Sequence, residues 1–142
     1  MTGIVVGLDG SPHSQDALDW ALAESALRNV PLTVLAVAPA PGSIWGIAGA
    51  IPAAEETTEK VKHAAQDMVD KAVSRDGQAV TVRAVSGVPA DELIKAAEDA
   101  DLLVVAARGS GGFAKLVMGS VSSQVTQHAR CPVVVVPGKQ AR

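Results

Sequence analysis

The sequence predicts an α/β fold, in which residues 1–142 form a single domain on an open, mainly parallel five-stranded sheet with helices on both faces. Apolar runs rich in Val, Ile and Leu alternate with segments whose apolar residues recur at helical spacing. Most of these runs are uninterrupted, as in strands that are buried on both faces of a sheet. With two Trp, one Phe and no Tyr, the core must be aliphatic. Strands that alternate with helices form parallel sheets with right-handed connections.

The first strand is predicted at residues 4–8, an apolar run that ends at the turn of residues 9–12. A helix follows at once, because Ser11 can cap it and the next residue, a proline, suits the first helical position. Apolar residues then recur at helical spacing until Pro31 lies beyond the helix end. The second strand is predicted at residues 32–37, and a long loop rich in Pro, Gly and Ala (residues 39–52) comes next.

The middle of the chain predicts a helix over residues 54–75, which the pair Asp76 and Gly77 ends. Its buried stripe consists of apolar residues at helical spacing: Val61, Ala65, Met68, Val69 and Ala72. Residues 79–85 alternate apolar and polar side chains, which suits a strand that is solvated on one side and fits the edge of a sheet. A third helix opens at Pro89, with acidic residues in its first turn, where negative charge meets the positive helix end.

The last part of the chain predicts an uninterrupted apolar strand over residues 102–107, a Gly-rich loop over 108–113 and a helix over 119–129. Four valines, residues 133–136, form the final strand.

Composition excludes several classes of function. The net charge is −3, and the chain has neither a basic block nor spaced aromatic residues, so we expect no nucleic-acid surface. The longest apolar runs fall far short of the ~20 residues that span a bilayer, so we expect no membrane segment. The first residues carry no basic segment before an apolar run, and the single cysteine, Cys131, fits a reducing compartment. We therefore expect a cytoplasmic protein.

The segment after the fourth strand has the composition of a phosphate-binding loop. Gly109, Gly111 and Gly112 permit a close approach of ligand to backbone, and successive N–H groups there can form an anion-binding nest. Gly119 and Ser120 follow at a helix start, where free N–H groups and the helix dipole favour negative charge. In parallel sheets such elements meet where the strand order reverses. The alternative is a Gly-rich surface loop before an ordinary serine-capped helix.

This spacing resembles the nucleotide-binding pattern of the universal stress protein family: Gly, two residues, Gly, nine residues, Gly, then Ser or Thr. Gly109, Gly119 and Ser120 match it without gaps, whereas the first glycine is Ala106 here. Residues 4–11, 35–37 and 128–136 are also similar to the family. The resemblance implies a Rossmann-like fold of the adenine nucleotide alpha hydrolase type.

The ATP-binding branch of that family implies a role for each matching residue. Gly7 and Asp9 would contact the nucleoside, and Val37 would meet the adenine edge through its backbone. The residues implied to hold ribose and phosphates are Ala106, Gly109, Gly119, Ser120 and Val121. We add Gly111 as part of the nest, Arg108 as a charge partner and Ser122 as a further hydroxyl, although a solvated arginine and an ordinary helix serine fit equally well. Asp9 could help to hold Mg²⁺ through the phosphates, or serve only as a ribose acceptor or a turn residue.

Ala106 leaves two alternatives open. If that position requires a positive φ, alanine costs about 1–2 kcal/mol, roughly a tenfold loss in affinity. If the strand is still extended there, the methyl group costs little unless it touches the ligand. The apolar neighbours Val104, Val105 and Ala107 favour the extended alternative.

No catalytic motif accompanies the predicted site. The sequence lacks G-x-x-x-x-G-K-[ST], a G-x-G-x-x-G after the first strand, and G-x-S-x-G. His13, His63 and His128 are dispersed, and Cys131 suits a packed thiol. We therefore expect an ATP-binding stress-response regulator that at most hydrolyses ATP slowly, and the resemblance implies a homodimer, which the C-terminal strand could form. The alternatives are a nucleotide-free interaction module of the same fold and an enzyme that acts on an adenylate or another phosphorylated metabolite.

Overall fold

The computed structural model describes residues 3–8, 12–39, 54–72, 78–107 and 120–137. Within them, strands and helices alternate along the chain as predicted. The strands are β1 (Ile4–Leu8), β2 (Leu32–Pro39), β3 (Val80–Gly87), β4 (Leu102–Ala106) and β5 (Val133–Val136). The helices are α1 (Pro12–Arg28), α2 (Ala54–Lys71), α3 (Pro89–Ala96) and α4 (Ser120–His128).

The five strands form one sheet in the order β3-β2-β1-β4-β5. Every pairing between neighbours is parallel. β2 and then β3 follow on one side of β1. The chain then crosses to the other side of β1, where β4 and then β5 follow. The strand order therefore reverses between β1 and β4. This topology confirms the predicted fold class, and the edge position predicted for β3 is correct.

Helices cover both faces of the sheet because successive side chains of each strand point in opposite directions. Ile4 and Val6 of β1 enter the core under α1 and α2, whereas Val5 enters the core under α3 and α4. All four apolar residues that begin β4 are at most 3% exposed. The full burial of each such side chain stabilises the fold by about 1.5–3 kcal/mol. Aliphatic residues thus form both cores, as the composition predicts.

The ends of several elements differ from the sequence predictions. β2 continues to Pro39 and β3 to Gly87, and the two strands stay paired to their last residues. Their extra length comes from backbone pairing, which the side-chain pattern does not report. α2 ends at Lys71 instead of residue 75, and the predicted stop at residues 76–77 lies outside the described residues. β4 ends at Ala106 instead of residue 107.

Gly3 links two strands at the amino edge of the sheet. This glycine has a φ of 90°, a conformation that L side chains rarely adopt, and an added Cβ would collide with the carbonyl oxygen of Pro31. Its N–H donates to the Asp101 carboxylate at 3.1 Å, and its carbonyl accepts the Asp101 N–H at 2.8 Å. These bonds tie the start of β1 to the start of β4. Within the described ranges, no helix has both the length and the apolar character needed to cross a bilayer.

Candidate functional site

The sheet divides at its carboxyl edge, between β1 and β4. The register of these two strands runs from Ile4–Leu102 to Val6–Val104. β1 stays paired with β2 as far as Leu8–Ala36, and β4 stays paired with β5 as far as Ala106–Val136. The last residues of β1 and β4 therefore belong to different halves of the sheet. Parallel sheets bind ligands in the crevice at this kind of reversal point.

One wall of this crevice is a two-stranded shelf formed by β2 and β3. The pairs from Val37–Val85 to Pro39–Gly87 lie beyond the last pair that β2 makes with β1. At about 3.3 Å per residue, these three pairs carry the shelf roughly 10 Å past the end of β1. Val37, the first residue of the shelf on β2, packs its side chain against the core under α3 and α4. The shelf provides backbone and apolar surface beside the crevice.

Two helices begin at the other walls of the crevice, and their first turns contain no acidic residue. α1 follows β1 and α4 follows β4, and neither has Asp or Glu in its first turn. α3, which follows β3, has Asp91 and Glu92 in its first turn, and α2 has Glu55 and Glu56 among its first three residues. A helix start has free N–H groups and a positive dipole end. The helix ends at the crevice therefore keep a positive potential that no first-turn carboxylate neutralises.

The backbone at Ala106 is extended. Ala106 pairs with Val136 in the β4–β5 ladder, and Asn29 is the one non-glycine residue with a positive φ among the described residues. The methyl group of Ala106 packs against the core under α1 and α2. The strained alternative considered for this position is therefore wrong, and the extended alternative, in which alanine costs little backbone energy, is correct.

Gly7 lies against a helix on the face covered by α3. A Cβ added at Gly7 would come within 2.7 Å of Cδ2 and 2.9 Å of Cδ1 of Leu93. Leu93 is 4% exposed, so its side chain has little room to move. This contact gives a packing reason for glycine next to the crevice. Sequence reasoning missed Leu93, because its spacing in α3 marks it as a core residue but does not reveal which strand residue it meets.

Ser122 joins the start of α4 to the end of β4. Ser122 as a whole is 1% exposed, and its hydroxyl donates to the carbonyl oxygen of Ala107 at 2.9 Å. The Ala107 N–H in turn donates to the carbonyl oxygen of Val136 at 2.9 Å. Ala107, which directly precedes segment 108–119, is thus bonded to Ser122, the third residue after that segment. Sequence reasoning missed Ala107, because a backbone acceptor leaves no signal in the residue pattern.

The described site residues predicted from the sequence all lie at the carboxyl edge. Gly7 and Ala106 stand at the ends of the two diverging strands, Val37 stands on the shelf, and Ser120, Val121 and Ser122 form the first turn of α4. Five further predicted residues lie outside the described residues: Asp9, Arg108, Gly109, Gly111 and Gly119.

Of the histidines and the cysteine among the described residues, His13 lies in the first turn of α1 beside the crevice, and the other three lie elsewhere. Cys131 precedes β5 at the amino edge, where burial raises the pKa of its thiol, the Asp101 charge raises it further and a hydrogen bond with the Leu103 backbone partly opposes both. His63 is exposed on α2, with Nε2 3.9 Å from a Glu59 oxygen, and His128 is exposed at the end of α4. Across the part of the chain that the structure describes, no three His, Cys, Asp or Glu residues are grouped to hold a metal ion.

Comparison with known proteins decides the family. A protein-family model described as "Universal stress protein family" matches residues 1–137, nearly the whole chain. The chain belongs to the universal stress protein family. This membership confirms the resemblance that the Gly109, Gly119 and Ser120 spacing indicates.

Relatives within the universal stress protein family agree with the observed fold. A universal stress protein of Mycobacterium tuberculosis strain H37Rv is 31% identical over 98% of this chain and 49% of its own length. The chain spans about half the length of the curated relatives it matches. A universal stress protein solved in complex with cAMP is 28% identical, covers 97% of this chain and 98% of its own, and has a TM-score of 0.69. One from Archaeoglobus fulgidus in complex with dAMP has 24% identity, 95% and 97% coverage and a TM-score of 0.61, a likeness of fold alone.

Proposed function

We infer that this chain binds an adenine nucleotide at the carboxyl edge, in the crevice between β1 and β4. The observation that carries this proposal is the meeting of two acid-free helix starts, α1 and α4, at the point where the strand order reverses. An anionic phosphate gains most at such helix ends, where backbone donors and dipoles act together. The shelf of β2 and β3 offers the flat, partly apolar surface that a nucleobase needs.

The family comparison supports an adenine nucleotide as the ligand. The relative solved with cAMP aligns over nearly the full length of both chains at 28% identity. In our proposal the nucleoside contacts Gly7, Asp9 and Val37. The phosphates and ribose lie toward the residues that end β4, follow it and open α4: Ala106, Arg108, Gly109, Gly111, Gly119, Ser120, Val121 and Ser122. Ser122 takes part through its backbone N–H, since its hydroxyl bonds Ala107.

We propose ATP, with Mg²⁺ held through the phosphates, as the form bound in the cell. The sequence offers no assignable phosphate-clamping lysine or general base, and phosphoryl transfer depends on such groups. The protein then acts as a cytoplasmic stress-response regulator, in which residues 1–142 form one universal stress protein domain and nucleotide occupancy alters a surface or an assembly. Multiple-turnover ATP hydrolysis that survives rigorous purification and disappears on substitution of Asp9 would contradict the assignment as a regulator.

We also propose that two copies pair through β5. This strand lies at an edge of the sheet, and three of its four valines are only partly buried. An exposed edge strand without charged residues readily pairs with another chain. The proposed homodimer would cover these valines.

The test is to denature the freshly purified protein and identify any released nucleotide. We expect an adenine nucleotide in the supernatant. If purification has removed it, we expect ATP and Mg²⁺ to raise the melting temperature, because a ligand that binds only the folded state stabilises it by mass action. Absence of both released nucleotide and stabilisation would reject the proposal and favour a nucleotide-free interaction module.

A further inference from the structure

A partly buried hydrogen bond joins the first turn of α4 to the residue that follows β4. The Ser122 hydroxyl donates to the Ala107 carbonyl oxygen at 2.9 Å, and Ser122 as a whole is 1% exposed. Ala107 is held in turn by its own N–H, which bonds the Val136 carbonyl at 2.9 Å. One serine hydroxyl therefore connects α4 with the β4–β5 ladder at the side of the crevice.

We propose that Ser122 is a positioning residue for phosphate binding, whose hydroxyl fixes the first-turn amides of α4 against the end of β4. The inference rests on the proposed function, because the position of these amides matters only if an anion binds there. With so little exposed surface and its proton given to Ala107, the Ser122 hydroxyl is not presented to a ligand. The backbone N–H groups of Ser120 and Val121, two residues and one residue earlier, belong to the four that a helix start leaves free.

Apolar packing alone does not set the position of these donors. Val125 is fully buried and Val121 packs against the same core, so α4 is held against the sheet by its apolar side. Hydrophobic contacts are non-directional and tolerate small rotations and shifts of a helix. A hydrogen bond prefers a narrow range of lengths and angles. The Ser122 bond therefore adds the directional restraint, and donors that are already in place bind more tightly than donors that must be ordered.

The chain contains a matched control for this bond. Ser25, also 1% exposed, donates its hydroxyl to the Val30 carbonyl oxygen at 2.6 Å. That bond closes the turn between α1 and β2 at the amino edge, the opposite edge from the crevice. Ser25→Ala and Ser122→Ala each remove a partly buried serine-to-carbonyl hydrogen bond. The two variants should lose comparable free energy of unfolding. A difference between their nucleotide affinities would therefore arise because the Ser122 bond lies beside the crevice and the Ser25 bond does not.

The experiment measures ATP affinity in the presence of Mg²⁺ by titration calorimetry, together with the melting temperature of each unliganded variant. We expect Ser25→Ala to keep the wild-type Kd within about twofold. Ser122→Ala should raise Kd about tenfold, which corresponds to about 1.4 kcal/mol. Ser122→Thr and Ser122→Val form a second pair of nearly equal shape that differs in the hydroxyl, and the threonine variant should bind more tightly.

Equal losses of affinity in Ser25→Ala and Ser122→Ala would overturn the inference, because the effect would then follow general stability. Equal affinities of the threonine and valine variants would also overturn it. A wild-type protein that binds no ATP would instead reject the proposed function. The failures of the two proposals are therefore distinguishable.

Discussion

At the scale of single residues, the crevice is formed by side chains whose partners are distant in the sequence. Gly7 lies against Leu93 of α3, and the extended backbone of Ala106 shows why alanine is tolerated where the family pattern has glycine. The residue types at both positions could be recognised from the sequence. Their contacts could not be predicted, because they depend on how distant segments pack together: Gly7 against α3, and Ala106 against β5.

Gly7→Ala tests whether packing explains this glycine. We expect a loss of about 1–3 kcal/mol in the free energy of unfolding, because the added methyl overpacks the contact with Leu93. In Gly7→Ala/Leu93→Ala the loss should be smaller than the sum of the two single losses, since the second change removes the clash. Urea denaturation measures all four proteins. Strict additivity would show that Leu93 does not determine the residue at this position.

At the scale of elements, the sequence could predict nearly every strand and helix, because apolar periodicity and turn residues mark them. It could also predict a candidate site at the carboxyl edge, since parallel sheets bind ligands where the strand order reverses. The extension of β2 and β3 into a shelf could not be predicted. That extension depends on backbone pairing as far as Pro39–Gly87, and small residues such as Ala38 and Gly87 give no strand signal.

The electrostatic role of α4 can be tested by adding one negative charge. Ser120 is exposed at the first position of the helix, and Ser120→Asp should stabilise the free protein by about 0.3–1 kcal/mol through the helix dipole. The same carboxylate should repel phosphates and weaken ATP binding at least about tenfold. Gln124→Glu, on an exposed position in the middle of α4, is the control for charge and should leave affinity nearly unchanged. Calorimetric titration and thermal unfolding provide both readouts, and unchanged ATP affinity in Ser120→Asp would exclude α4 as the phosphate site.

At the scale of the whole molecule, the two edges of the sheet differ in character. β5 presents partly buried valines, whereas β3 exposes polar side chains such as Thr81 and Arg83. The sequence could predict that β3 is solvated and that the last strand is apolar. The residue pattern of one chain carries no signal of a second molecule, so pairing through β5 is a proposal that needs its own test.

Matched lysine substitutions on the two edges test the proposed homodimer. We expect sedimentation velocity to give twice the chain mass for the wild-type protein and for Thr81→Lys on β3. Val135→Lys on β5 should sediment as a monomer, because an edge lysine opposes strand pairing between chains. Thermal unfolding must show that this variant remains folded. A monomeric wild-type protein, or a dimer that only Thr81→Lys dissociates, would contradict pairing through β5.

The location and the chemistry of the site are tested most directly by a titration of the ¹⁵N-labelled protein with ATP and Mg²⁺, followed by amide chemical shifts. The proposed function predicts saturable changes that are largest at Gly7, Val37, Ala107, Ser120 and Val121, all at the carboxyl edge. Amides of the amino edge, such as those of Gly3 and Cys131, should stay nearly unchanged. Changes centred on the amino edge, or no saturable change at all, would contradict the assignment of this crevice as an adenine nucleotide site.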